Sequence, residues 1–544
     1  MRFKICVVFV FCFFNIIVAL AQTKDKEAFD NPILKGFYPD PSICRVGDDY
    51  YLVNSSFEYF PGVPVFHSKD LVNWQQIGHV LNRPSQLNLD SVRASGGIFA
   101  PTIRYHNGTF YMITTLVGTK EGGNFFVTAK NPAGPWSEPQ WLPKEAIGID
   151  PSLFFDDDGK VYYTGNKKPV NQGQVTRYRQ IWLHEVDLKN RTFVGERSII
   201  LEEGALHNAE NAEGAHLYKK DGYYYLLIGE GGTFENHAVT IFRSKNITGP
   251  YEGNKKNPIL THRHLGLNYP ITSTGHADLV ETQKGDWWMV LLGVRKYGGL
   301  HYNLGRETFL TKVEWQDGWP IVNPGEGKVL ATQLKPDLPA FNIQQENLRD
   351  DFKADTLFHY WNFLRTPRTN FWSLEKKEGF LRLNLSKQEI TDLVSPSFIG
   401  RRQQDTSFQV ETAIQFTPKK ENELAGMVLM MNNNFQYRCE KILSNGKFYV
   451  QLIKRAKGID ELISKIPVEK GELIFGVQAN GQDLEFYVKQ KEIKQTLAQK
   501  ADARILSVVN ALGFTGVYVG VYASSKGANS SNYADFDWFE YKKL

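Results

Sequence analysis

Short apolar runs broken by polar turns recur along the chain, and between about residues 30 and 330 they repeat. Five segments share one pattern: a small or acidic residue, a turn-like pair, a short apolar strand, a Gly/Asp turn, and a second strand rich in Tyr and Trp. They read DPSICRVGDDYYLV from Asp40, APTIRYHNGTFYMI from Ala100, DPSLFFDDDGKVYY from Asp150, EGAHLYKKDGYYYLL from Glu213 and HADLVETQKGDWWMV from His276. Each predicts a β-hairpin, and further strand-like runs such as GNFFVTAK and ENHAVTIFRS follow before the next unit begins 50 to 63 residues on. A repeat of that length holding about four strands is a propeller blade, so a five-bladed β-propeller is expected over residues 22–335.

The stretch LKPDLPAFNIQQEN, interrupted by Pro336 and Pro339, predicts a linker over 336–349. Beyond it, runs such as GFLRLNL, FQVETAIQF, AGMVLMM, LIFGVQA and GVYVGVYA alternate with turns, which predicts a β-sandwich of the jelly-roll, concanavalin-like kind over 350–544. The fold class expected is all-β. At the other end, a short basic start, an apolar run from Ile5 to Leu20 and the triplet Ala19-Leu20-Ala21 predict a signal peptide over 1–21. The product is then exported, to the periplasm or outside the cell, with no membrane insertion.

Composition narrows the function. With 544 residues, 22% charged and a formal charge of +4, the chain is an ordinary globular one; removing the leader takes away Arg2 and Lys4 and leaves +2. No basic field for nucleic acid exists. Aromatic content of 13% suits β-structure and carbohydrate-facing surfaces. Two of the four cysteines lie in the leader, and the others, Cys44 and Cys439, fall in different predicted domains and are expected as buried thiols.

In a propeller the innermost strands line a central channel, so the first residues of the repeats, Asp40, Ala100, Asp150, Glu213 and His276, converge on one axial pocket. Carboxylates gathered there raise one another's proton affinity and cost stability unless they have a task. Two carboxylates across a sugar-sized cleft are the minimum for glycosidic hydrolysis, one protonating the leaving oxygen and one activating water, and a third can tune the acid. The same groups could bind a cation, but their placement on separate blades favours a cleft over a compact metal shell.

YPDPS around Asp40, GIDPSLFFDDDG around Asp150, AEGAHLY around Glu213, STGHADLV around His276, LGRETFL around Arg306 and the late DGWP resemble, as a set, the motifs of glycoside hydrolase family 43. That family comprises inverting β-xylosidases, α-L-arabinofuranosidases and related five-bladed enzymes. The resemblance implies Asp40 as general base, Glu213 as general acid and Asp150 as the residue that orients and tunes the acid. Arg306 is then expected to hydrogen-bond the sugar and pair with a carboxylate, and His276 to stand at the axial position that supports an ion or water. Glu210 is the rival acid, set aside because Glu213 keeps the repeat register. Phe57 and Phe99 are expected against the sugar ring; Phe99 and Tyr59 stand where Trp is more usual, and Tyr59 is read as packing between blades.

The sandwich resembles the C-terminal domain of one branch of the same family, whose loop closes one side of the pocket. Phe514 in GFTGVYVG matches the aromatic that reaches it, which implies exo action. Asp535 and Asp537, with Asp350 or Asp351, are a candidate calcium site. No organic cofactor is implied. The reading that results is an inverting exo-glycosidase on plant cell-wall polysaccharide or oligosaccharide, releasing α-L-arabinofuranose ahead of β-D-xylose, with the oligomeric state left open. A retaining fructan-acting relative lacks its Trp-Met-Asn-Asp-Pro type motif here, and a non-catalytic sugar-binding propeller sits poorly with three carboxylates.

Overall fold

The computed structural model describes residues 27–171, 174–175, 178–206, 210–343 and 348–544; residues 170–171 and 174–175 are described by their backbone alone. The predicted signal peptide lies outside the described residues. Among those described, no helix is long and apolar enough to cross a membrane.

Five antiparallel sheets of four or five strands follow one another between Ser42 and Val322 among the described residues. Each contains a hairpin whose first strand is innermost, Ser42–Val46, Thr102–His106, Ser152–Phe155, Glu213–Lys220 and Ile271–Glu281; in the second sheet the short strand Gly97–Ile98 precedes it and pairs with the same neighbour. The hairpins form because their two-residue turns suit the twist of the strands. Asn107-Gly108 (φ 48° and 73°) and Asp221-Gly222 (φ 49° and 77°) are left-handed at both positions, the geometry that Asn-Gly and Asp-Gly supply at least cost. The five innermost strands touch one another in sequence, and the fifth touches the first, which closes a ring.

Side chains one turn below the repeat's first residues knit that ring. Ser42 Oγ donates to Asp278 (2.7 Å), Thr102 Oγ1 to the Pro151 carbonyl (2.9 Å) and Ser152 Oγ to the Ala215 carbonyl (2.6 Å). The chain start is tied to the end of the ring as well: Ala28–Asp30 pairs with Thr332–Leu334, and Asn31 Nδ2 donates to the carbonyls of Leu310 and Leu330.

The C-terminal region is built on an eight-stranded and a six-stranded antiparallel sheet. Arg349 and Asp350 already belong to the larger one, paired with Glu540 and Phe539. Its strand Ser407–Gln415 alternates Phe408, Val410 and Thr412 inward with half-exposed residues between them, the pattern of a strand with one buried face. Leu424–Asn432 in the smaller sheet behaves differently, being buried at every position. Met427, Leu429 and Met431 face the sandwich interior, whereas Leu424, Val428 and Met430 pack with Phe37, Phe57 and Tyr59 of the first region. The unbroken apolar run AGMVLMM is therefore a strand covered on both faces, one by its own domain and one by its neighbour.

Polar contacts fasten the same seam. Arg402 Nε donates to the Phe37 carbonyl (2.7 Å), Arg365 Nε to the Val92 carbonyl (2.8 Å) and Asn303 Nδ2 to the Ala503 carbonyl (2.7 Å). Tyr59–Phe60 pairs with Phe363–Leu364 as a short ladder between the two regions. Tyr59 is accordingly fully buried and stacks on Tyr518 at 3.8 Å and 12°. This corrects the expectation that it packs between blades, because a flat aromatic partner from the sandwich claims its ring face.

The candidate calcium site is not assembled either. Both oxygens of Asp535 are taken by Arg382 (2.7 and 2.9 Å), Asp351 pairs with Arg349 (2.7 Å), and Asp350 accepts from the Trp361 indole (2.8 Å) and the Phe352 amide (2.9 Å). Asp537 is left with a proton affinity raised by burial and by Glu472 and Asp351. Guanidinium forks neutralise carboxylates that an ion would otherwise bind. Among the described residues, no group of three His, Cys, Asp or Glu side chains forms a ligand set. Cys44 and Cys439 are free and buried, as expected.

Candidate active site

The repeat's first residues are delivered by an unusual backbone. Asp40 and Asp150 each precede Pro-Ser at the start of an innermost strand and are left-handed, with φ 52° and 54°; His276, within the fifth innermost strand, has φ 46°. Aspartate tolerates that conformation better than most residues, yet each such site costs on the order of 1–3 kcal/mol and persists only where the surroundings impose it. Here it turns the carboxyls off the strand direction and into the pocket. Glu213 begins its strand just before a register break, and Gly214 (φ 62°) lies against the His276 ring, whose Cε1 would be only 3.0 Å from an added Cβ. Glycine at 214 is what lets the acid strand and the histidine approach.

These residues line one pocket of about 1110 Å³, together with Phe57, Phe99, Arg306 and Phe514. All eight site residues expected around the pocket are thus brought together. Arg306 Nη1 donates to Asp40 Oδ1 (2.6 Å) and Thr233 Oγ1 (3.2 Å), its Nη2 reaches the Phe514 carbonyl (3.3 Å), and Ser55 Oγ donates to the other Asp40 oxygen (2.5 Å). The carboxylate that Arg306 pairs with is therefore Asp40. The Nε of Arg306 is buried without a protein partner. Phe57, Phe99 and Phe514 form a continuous aromatic wall, with centroids 5.2 Å apart for Phe57 and Phe99 and 5.9 Å for Phe57 and Phe514.

Phe514 is held there from the first region. Its amide donates to Ser95 Oγ (2.8 Å), and the Ser95 amide donates to Glu58 Oε2 (3.0 Å). Burial pushes the Glu58 carboxyl up to about 7. The sandwich loop is in this way a structural part of the pocket wall.

Burial and mutual repulsion act on two of the three carboxyls. Burial, then the facing Glu213 and Asp40, raise Asp150 well above the usual carboxylate range. Burial likewise raises Glu213, and Asp40 adds to it, while the Arg179 guanidinium 3.7 Å away opposes the rise. The Asp150–Glu213 pair therefore retains a proton at a pH where free carboxyls have lost theirs. Asp40 has a cation in direct contact. A carboxyl pair that retains a proton, facing a carboxyl held by a guanidinium across one cavity, equips the site for acid–base cleavage. His276 and His237 are driven toward the neutral form by burial, His237 down to about 3.

Glu210 also lines the pocket but is exposed, whereas the Glu213 side chain is only 16% accessible. Sequence reasoning missed Arg179, Ser55, Thr233 and His237. Arg179 enters from the segment before the strand Gln180–Asp187, where it is held by Asn166 Oδ1 (2.8 Å) and Asn211 Oδ1 (3.1 Å). No repeat register marks it. Because its cation lowers the proton affinity of Glu213, Arg179→Gln should move the basic limb of the kcat/KM pH profile to higher pH, the acid keeping its proton longer. An unmoved or lowered basic limb would remove Arg179 from that role.

Residues 29–320 match the Glycosyl hydrolases family 43, and 349–542 match the Beta xylosidase C-terminal Concanavalin A-like domain. The chain is 46% identical to a xylosidase/arabinosidase of Butyrivibrio fibrisolvens, over 95% of this chain and 99% of that one. It is 43% identical to a non-reducing end α-L-arabinofuranosidase of Bacteroides ovatus, over 97% and 96%. Among solved structures, Bacteroides ovatus xyloglucan PUL GH43B superposes with a TM-score of 0.89 at 42% identity, covering 95% of this chain and 100% of that one. A xylan β-1,4-xylosidase from Bacillus halodurans gives 0.89 at 37% identity with the same coverage. A carboxyl-lined pocket, the collinear motifs and likeness over nearly the full length agree: the chain belongs to glycoside hydrolase family 43 and carries a concanavalin A-like C-terminal domain.

Proposed function

We propose that the protein is an inverting exo-glycosidase that releases non-reducing terminal α-L-arabinofuranosyl residues from side chains of plant cell-wall polysaccharides or oligosaccharides. The observation that carries this reading is the meeting of Asp40, Asp150 and Glu213, from three separate sheets, in one pocket that Phe514 of the sandwich walls on one side. A pocket closed on a side admits a chain end or a branch sugar. In this reading the five sheets are the blades of a five-bladed propeller over 22–335, joined by 336–349 to the sandwich. Residues 1–21 are a signal peptide that exports the enzyme to the periplasm or beyond.

Asp40 acts as general base on water, with Ser55 and Arg306 fixing its carboxylate, and Glu213 donates its proton to the leaving oxygen. Asp150, which faces Glu213 and with it retains a proton, orients and tunes the acid. Single displacement calls for the Asp40 and Glu213 carboxyls to stand about 6.5–9.5 Å apart, leaving room for the water. Arg306 and the Phe57, Phe99 and Phe514 wall bind the sugar. With Tyr59 away from the pocket, the preference for arabinofuranose rests on Phe99, smaller than Trp, and on the Bacteroides ovatus relative. A β-D-xylosidase, alone or in addition, is the second reading, favoured by the xylosidase/arabinosidase name of the 46% identical relative.

The test is release of 4-nitrophenol from aryl α-L-arabinofuranoside and aryl β-D-xyloside, with the anomeric form of the released sugar followed by NMR. A higher kcat/KM on the arabinofuranoside with inverted product is expected. Preference for the xyloside turns the assignment to the second reading, a retained anomer overturns the mechanism, and no release of either pentose overturns both sugar assignments.

A further inference from the structure

A second concavity, of about 640 Å³, lies on the outer part of the second sheet, in the size range of ligand clefts (about 300–1,000 Å³). Its walls are mixed: Trp141 beside Asn88, Asp90, Lys120, Glu121 and Glu138. Trp141 sits on the outermost strand, Gln140–Trp141, and is 38% accessible, unusually open for a tryptophan. Its ring is backed by the fully buried Phe125 at 4.8 Å, so the platform is fixed in place before anything binds.

The polar groups are set as well. Arg368 of the sandwich region holds Asp90 (2.9 Å) and also binds Asn88, while Arg83 (2.6 Å) and Ser85 (3.2 Å) hold Glu138. With their charges already countered, these oxygens can still accept hydrogen bonds from neutral hydroxyls. An aromatic face for C–H surfaces flanked by hydroxyl acceptors is the chemistry that recognises a neutral sugar chain.

Position relates this groove to the catalytic pocket. Leu116 and Gly118 line the groove, and Val117 between them lines the pocket. Successive residues of an extended strand point to opposite faces, so the two cavities share the end of one strand as their common wall. We propose that this groove is a second carbohydrate-binding site, which holds the neutral main chain of a branched polysaccharide while a side-branch sugar enters the pocket. The inference rests on the pentosidase reading for the identity of that branch and goes beyond it in assigning the main chain its own site.

Trp141→Ala should lower kcat/KM on soluble arabinoxylan about tenfold, through KM, the loss matching about 1.4 kcal/mol of stacking. It should leave kcat/KM on the aryl pentosides unchanged, and Trp141→Phe, which keeps the platform, should restore most of the polymer activity. In affinity electrophoresis, arabinoxylan in the gel should retard the wild type and not Trp141→Ala. Equal polymer activity and equal retardation in wild type and Trp141→Ala would overturn the proposal, as would a parallel loss on aryl and polymeric substrates. If the wild type cleaves no aryl pentoside, the pentosidase reading falls while retardation still decides the groove: retardation lost in Trp141→Ala supports it, and an unretarded wild type overturns it.

Discussion

Glu213→Gln and Asp40→Asn should each reduce kcat/KM on pentosyl oligosaccharides by about 10²–10⁴-fold with the fold intact, the range a positioned acid or base contributes. The two losses should differ in kind. Without its acid the enzyme depends on the leaving group, so Glu213→Gln should retain more activity on a 4-nitrophenyl glycoside, whose departing oxygen needs little protonation, than on an oligosaccharide. Asp40→Asn removes water activation and should fall equally on both. It also leaves Arg306 without its anionic partner at 2.6 Å, so some loss of sugar affinity should accompany the loss of rate. The measurement is the ratio of kcat/KM on the two substrates for each variant, with thermal denaturation to verify folding. A ratio unchanged in Glu213→Gln would show that it is not the proton donor.

Ending the chain before residue 350 should abolish activity and soluble expression together. The cut exposes Phe37, Phe57 and Tyr59, which are fully or almost fully buried and pack in one cluster with Val428, Met430 and Tyr518. Returning each such side chain to water costs about 1.5–3 kcal/mol, so a handful rivals the 5–15 kcal/mol by which whole domains are stable. The same cut removes the Phe514 carbonyl from Arg306 and one wall from the pocket. Expression of residues 22–349, with recovery in the soluble fraction and aryl pentoside turnover, checks it. A soluble fragment with full activity on small substrates would mean that the sandwich is an independent module.

The sequence alone marked out the repeats and the residues that meet in the pocket. Turn pairs such as Asn107-Gly108 and Asp221-Gly222 can be read because left-handed backbone suits few residues, and the choice depends on nothing beyond the turn itself. Once the repeats are aligned on those turns, Asp40, Asp150, Glu213 and His276 fall at equivalent positions, and the ring of innermost strands carries them into one pocket. Tertiary structure decided the partners. Arg179 reaches Glu213 from a segment without a repeat register, Tyr59 turns its face to Tyr518, and Asp535 meets Arg382 only because Leu381–Asn384 pairs with the strand Tyr533–Lys543 in that register. AGMVLMM reads as a strand, but nothing in it tells that its second face is covered by another domain. Backbone preference is a property of adjacent residues. The neutralisation of a charge or the covering of a ring depends on which distant strands come side by side, and that is settled only when the whole chain packs.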